Sequence, residues 1–161
     1  MNLSKINQEH AKKNRTSVRK KTIVIITLLF TTLTFSQKVS EELKSTIKAD
    51  NLDVFKTLID DTDLDTYYKI NDRDYTLLII TIKLKASSCF EFLIENKVNV
   101  EKISSGKTPL MHAVKNGKLD MVKILITAGA DKLAKNDVNK TALDYAVRYK
   151  RKDIQTYLES L

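Results

Sequence analysis

Residues 108–131 read TPLMHAVKNGKLDMVKILITAGAD, and Thr141-Ala142-Leu143 restarts the pattern that Thr108-Pro109-Leu110 opens. Ala113-Val114 returns as Ala146-Val147, and Leu125 as Leu158. A weaker copy lies upstream, with Thr76, Leu78, Ile82, Phe90, Leu93 and Ile94 standing where Thr108, Leu110, Val114, Val122, Leu125 and Ile126 stand later. A period of about 33 residues with two short apolar helical patterns per unit is the signature of a stacked helical solenoid.

The best copy shows how one unit is built. Thr108 can cap a first helix through its hydroxyl, and Pro109 at the first helical position gives up no needed hydrogen bond. Leu110, Ala113 and Val114 fall at helical spacing and predict its buried stripe, with the small Ala113 allowing close approach. Gly117 predicts a left-handed turn that ends this helix. Leu119, Val122, Leu125 and Ile126 form the inner face of a second helix, and Gly129 closes it. Ala130-Asp131 then leads into an extended finger before the next threonine.

Four such units fit the chain, at about residues 40–70, 71–102, 103–135 and 136–161. The first rests on LDVFKTLI (Leu52 to Ile59), which matches LDMVKILI (Leu119 to Ile126). On the Thr-Pro-Leu, turn-glycine and Gly-Ala-Asp residues the chain resembles the ankyrin-repeat family. That resemblance implies an all-α ankyrin-repeat solenoid of helix-turn-helix units with short extended fingers, acting by binding. The chain departs from the family pattern in several places. Met111 takes the family's usual histidine position, with His112 one place later. Leu77 and Ala142 replace the proline, and Lys85 and Lys150 replace the turn glycine, which predicts less well defined turns there. Glu41-Glu42 at one end and Gln155-Thr156 at the other are polar, as expected where terminal units face water. Both ends therefore read as caps of a complete array.

Residues 1–36 read as an address. Residues 1–21 are polar and basic, and an uncharged apolar run follows from Thr22 to Phe35. This order is that of a secretory signal peptide, with cleavage after Ser36. The run is shorter than the roughly 20 residues of a comfortable span, so an uncleaved inner-membrane anchor is the alternative. Export across a bacterial-type inner membrane, to the periplasm or beyond, is the expectation. The segmentation also explains the charge. Of 28 Lys+Arg and 20 Asp+Glu, residues 1–36 hold seven basic and one acidic, which leaves 21 against 19 in residues 37–161. The excess of basic charge is a targeting feature, so nucleic acid is not an expected partner.

Chemistry-bearing motifs are sparse. Cys89 is the single cysteine, so no internal disulfide is available, and its register predicts a packed thiol. His112 is the one histidine after residue 36, and neither it nor Cys89 sits in a catalytic or metal-ligand pattern. Asp61, Asp63, Asp65 and Asp72 imitate a calcium loop, but Thr66 stands at the turn glycine and Asp72 at the bidentate glutamate, so a solvated connector is expected. Asn139-Lys140-Thr141 is formally a glycosylation sequon, yet Thr141 already serves as a helix start. No enzyme activity and no cofactor are expected.

The remaining signal comes from superposing the units. Lys83, Lys115 and Arg148 share one position at the end of the first helix, and Tyr75, Lys107 and Lys140 share one in the finger. The resemblance places both positions on the partner-contacting concave side, with His112, Asn116 and Tyr149 beside them. Two basic ladders with interspersed tyrosine suit an acidic protein surface. A monomeric protein-interaction module is the expected function. The alternatives are a membrane-anchored envelope component and a polyanion or ligand binder that uses the same ladders.

Overall fold

The computed structural model describes residues 40–59 and 63–161. The candidate signal segment, residues 1–36, and Asp61 of the acidic run lie outside the described residues. Eight helices and one two-stranded ribbon make up the described part. They are α1 (Glu41–Lys48), α2 (Leu52–Leu58), β1 (Tyr67–Ile70), β2 (Arg73–Thr76), α3 (Leu77–Leu84), α4 (Ser87–Glu95), α5 (Pro109–Lys115), α6 (Leu119–Thr127), α7 (Ala142–Arg148) and α8 (Lys152–Glu159).

The helices pair as α1–α2, α3–α4, α5–α6 and α7–α8, and each first helix packs on the next along the series α1, α3, α5, α7. This is the expected all-α solenoid of four units. Every first helix starts the same way. Ser40, Thr76, Thr108 and Thr141 precede them in extended backbone and accept from the amides of Leu43, Ile79, Met111 and Asp144 at 3.1–3.4 Å. Thr141 adds a reciprocal bond, because the Asp144 carboxylate accepts from its amide at 2.8 Å. The sequon threonine is thus a helix cap. The second helix of unit two is capped from outside, since Asp50 of unit one accepts from the amides of Ser88 and Cys89 at 2.9 and 3.0 Å. Burial raises the Asp50 pKa, but these bonds outweigh it and hold the carboxyl below its ordinary value.

The first-helix turns are more uniform than the sequence suggests. Gly117 adopts φ +66°, but Asp50, Lys85 and Lys150 enter the same left-handed region at +51°, +66° and +54°. All four turns close with the same pair of backbone bonds, as in Gly117 N to Val114 O and Lys118 N to Ala113 O, or Lys85 N to Ile82 O and Ala86 N to Thr81 O. The expectation of looser turns at Lys85 and Lys150 is therefore corrected. The paired bonds impose the geometry and absorb a cost of about 1–2 kcal/mol for a side chain in this region.

The core runs along the stack. Helix α3, covered from both sides, buries all of Leu77 to Ile82, and Phe55, Phe90, Leu93, Leu110, Val114, Val122 and Leu125 continue the apolar seam. Cys89 is fully buried within it, and burial together with the Asp50 carboxylate pushes its thiol up to about 12. It is a packed, inert sulfur. Between units the chain forms short fingers. The most developed is β1–β2, antiparallel with Ile70 opposite Arg73, turning at Asn71 and Asp72 with φ +48° and +59°. Ser104 and Lys107 bridge in the next finger around Ser105-Gly106. In the last, the Asn136 side chain accepts from the amides of Val138 and Lys140 at 3.1 and 2.8 Å.

Two further expectations are refined. Asp65 does more than connect: from its solvated segment its carboxylate accepts from the Asn99 amide at 3.0 Å and ties unit two to unit one. The cap at the far end is incomplete as well. Gln155 and Thr156 are polar on α8, yet Val147 on α7 remains 56% exposed where its counterpart Val114 is fully buried. Leu143, the counterpart of buried Leu110, is only partly covered.

Candidate functional site

Three lysines and one arginine along the first-helix side rest on aromatic rings. Lys83, at the end of α3, holds its ammonium 4.7 Å from the centroid of Tyr75. Lys107 in the following finger lies 6.0 Å from the Tyr145 ring. Lys115 and Arg148, at the ends of α5 and α7, lie 5.6 and 5.9 Å from Tyr149. Tyr145 and Tyr149 are themselves stacked, with centroids 6.0 Å apart and planes inclined by 13°. Helical spacing brings this pair together, because residues four apart share a face.

The rings lie beneath the cations. Tyr75 and His112, both expected among the contacting residues, are each only 5% exposed: His112 supports the surface from beneath, and Tyr75 reaches it only where it lines a cleft beside Lys83. Their rings meet edge to face at 6.2 Å, and the His112 Nε2 pairs with the Ser104 carbonyl at 3.1 Å. The reason for their burial is stacking. The finger carrying Ser104 folds over α5, while Lys83 covers the outer side of Tyr75. Burial lowers the His112 pKa to about 4, the Ser104 bond opposes this, and the charges of Lys83, Lys107 and Lys115 lower it further. One imidazole thus feels cations from two successive units.

The other expected residues fall on either side. Lys83, Lys115 and Arg148 are exposed, and Lys107 and Tyr149 are half-buried. Asn116 is half-buried and donates through Nδ2 to the His112 carbonyl at 2.8 Å, closing the α5 turn. Among the described residues Lys140 rests on no ring, but it lines a groove of about 400 Å³ at the end of the stack with Val138, Thr141, Leu143, Asp144 and Val147 and with Tyr145 and Arg148 of the cluster itself. Sequence reasoning missed Tyr145, the stacking platform, whose hydroxyl accepts from Asn136 Nδ2 at 3.1 Å. The period carries the signal for it, since Tyr145 occupies in unit four the position that His112 holds in unit three.

Cation–aromatic contact alone does not distinguish this face. Lys56 over Phe92 at 5.1 Å and Lys123 over Tyr157 at 5.8 Å repeat it on the second helices. What differs is convergence, with several cations gathered over a shared aromatic floor. The ion pair found among the described residues, Lys44 with Glu41 at 3.8 Å, is remote in sequence from these cations and occupies none of them.

The family model described as ankyrin repeats (three copies) matches residues 43–136 and again residues 106–160. The chain is an ankyrin-repeat protein. Among solved structures, a chain from the crystal structure of the yeast ribosomal protein Rps3 in complex with its chaperone Yar1 superposes with a TM-score of 0.64. It is 25% identical to this ankyrin-repeat chain, and the match covers 75% of this chain and 91% of that one. Ankyrin repeats generally serve as protein–protein interaction modules, which points to a protein partner. The repeats supply the scaffold, and the non-repeated side chains carry the specificity.

Proposed function

We propose that this protein is an exported ankyrin-repeat module that binds an acidic surface of a protein partner through the side formed by its first helices and fingers. The observation that carries the reading is the set Lys83, Lys107, Lys115 and Arg148, each held on an aromatic ring and none of them paired to a carboxylate among the described residues. Ring contact, with a further bond from Lys107 Nζ to the Ser105 carbonyl at 3.2 Å, restrains these long side chains while leaving other N–H donors available, which lowers the ordering cost of accepting a carboxylate. Binding is by rigid complementarity and acts without catalysis or cofactor. The solved neighbour comes from a complex of a protein with its chaperone, which is compatible with a binding role.

The test is capture of partners from the native envelope fraction with the tagged full chain, beside a variant carrying Lys83→Ser, Lys115→Ser and Arg148→Ser. Exposed ion pairs contribute about 0.5–1 kcal/mol each, so the triple variant is expected to weaken binding roughly 10–100-fold. Raising salt should weaken the native complex in the same direction. Equal capture by both baits would remove the basic face from the mechanism. Comparable affinity of the native protein for unrelated acidic polymers would replace a specific partner with general polyanion binding. Export is tested separately by the mass of the mature chain, which should begin at Gln37. A full-length product that stays membrane-bound in high salt would instead establish the anchored form.

A further inference from the structure

The cleft between the tip of the β1–β2 finger and the end of α3 has a volume of about 420 Å³ and is lined by Ile70, Asn71, Arg73, Tyr75 and Lys83. Two cations enter it from different elements, Arg73 from β2 and Lys83 from the last turn of α3. Acidic residues flank Arg73 in sequence, at Asp72 and Asp74, but neither lines the cleft. Alternation along β2 places Arg73 and Tyr75 on one face and Asp74 on the other. Lys83 is restrained by its contact with the Tyr75 ring. Burial raises the Tyr75 phenol pKa, but contacts with Ser105, Arg73 and Lys83, and the charge of Lys83, outweigh it and bring the value below ordinary. Both cations thus act at the phenol oxygen, Arg73 through a hydrogen bond and Lys83 through a hydrogen bond and its charge.

The repeat register separates what the fold needs from what this unit adds. A side chain demanded by packing recurs from unit to unit, as Leu78, Leu110 and Leu143 do. Arg73 does not recur, since Ser105 and Val138 occupy its position in the next two units. Asn71, Arg73 and Tyr75 thus occur together in unit two alone among the described fingers, and only there does the ladder lysine meet an arginine across a cleft.

Resting on the partner-face reading above, we propose that this cleft is a carboxylate-binding subsite that receives one Asp or Glu side chain of the protein partner. The Arg73 guanidinium supplies a planar fork for the two carboxylate oxygens, Lys83 adds a point charge, and the Tyr75 hydroxyl adds a donor. Ile70 provides an apolar wall for the methylene groups. The subsite fixes the register of the partner, whereas the Lys107, Lys115 and Arg148 cluster supplies attraction over a broader area.

The test uses the isotope-labelled full chain titrated separately with acetate, inorganic phosphate and chloride at constant ionic strength, followed by amide chemical shifts. Acetate should produce saturable shifts confined to Asn71, Arg73, Tyr75 and Lys83, with a Kd in the millimolar range. Arg73→Gln should weaken that response by about fivefold or more, whereas Lys115→Ser should leave it intact. Preferential saturation by phosphate overturns the assignment, as do shifts spread over the whole basic face or no localised response. Partner capture separates this idea from its parent. Loss of capture with Arg73→Gln supports the subsite. Capture that survives Arg73→Gln but is lost with Lys115→Ser and Arg148→Ser together overturns the subsite and leaves the parent reading standing. Capture that survives both variants overturns the parent reading and the subsite with it.

Discussion

Acidification should destabilise this protein through one imidazole, His112. Its pKa falls from an ordinary 6.5 to about 4, first because it is buried and then because Lys83, Lys107 and Lys115 oppose a fourth positive charge. The unfolded chain therefore takes up a proton before the folded chain does. The sign follows directly: stability is fully present above pH 6.5 and falls as pH drops through the window from 6.5 to 4. The full difference is worth about 3 kcal/mol, and about 2 kcal/mol of it should be gone by pH 5. Urea denaturation followed by far-UV circular dichroism at pH 7.5, 6.5, 5.5 and 5.0 measures this, with His112→Gln as the control. Carboxylate titrations are common to both proteins and cancel in the difference, so the variant should lose the His112 share of the slope. Imidazole chemical shifts give the same midpoint directly. Replacing Lys83, Lys107 and Lys115 by Gln should raise that midpoint only part of the way to 6.5, because burial is the larger cause. A midpoint at or above 6.5 in the native protein, or identical slopes in protein and control, would refute the reasoning.

The other predictions concern the stack itself. Val114→Ala should cost about 2–3 kcal/mol in urea denaturation, since it removes two buried methyl groups and leaves a cavity, while Val147→Ala at the exposed end should cost under about 0.5 kcal/mol. Equal costs would mean that the far end is covered in solution. Gly117→Ala should lower stability by about 1–2 kcal/mol, because φ is +66° and the added Cβ would sit 2.9 Å from the Arg151 guanidinium carbon. That guanidinium is held by its bond to the Lys115 carbonyl at 3.0 Å. Lys85→Ala, at the same turn of the preceding unit, should be near neutral by thermal denaturation because a Cβ is already accommodated there. Asp50→Ala should cost about 1–2 kcal/mol, since it strips the acceptor from two amides at the start of α4; an unchanged melting temperature would show that water caps that helix equally well.

Much of the fold was legible because its rules are local and recur. Thr108, Pro109 and Gly117 each impose a backbone choice that needs no knowledge of distant residues, and the period multiplies that signal. The turns at Lys85 and Lys150 escape such a reading because glycine is sufficient for a left-handed turn without being necessary. There the paired backbone bonds decide. The site was harder to read, since register gives a residue's position but not its cover. Tyr75, Lys107 and Lys140 share one finger position, yet Tyr75 is buried, Lys107 leans on a ring, and Lys140 lines the end groove beside Tyr145 and Arg148. Their differences are made by the neighbouring unit, which pairwise spacing within one unit does not contain. Tyr145 shows the converse, because its register with His112 was present and only its role as a shared platform required three dimensions.

The arrangement also explains how an invariant scaffold can carry a charge pattern without self-destruction. Four like charges gathered on one side repel, and the usual remedy is a set of compensating carboxylates, which would then compete with any acidic partner. Here the aromatic floor takes their place. A ring quadrupole stabilises a nearby cation by about 0.5–1 kcal/mol at an exposed site without neutralising it. The field therefore remains available to a partner, and it adds to the burial that lowers the His112 pKa. A carboxylate arriving over Lys83, Lys107 or Lys115 must relax that depression, because the same charges act on both groups. Partner binding and His112 protonation are consequently linked: an acidic partner that occupies this face should raise the His112 midpoint, and one bound elsewhere should leave it where it is.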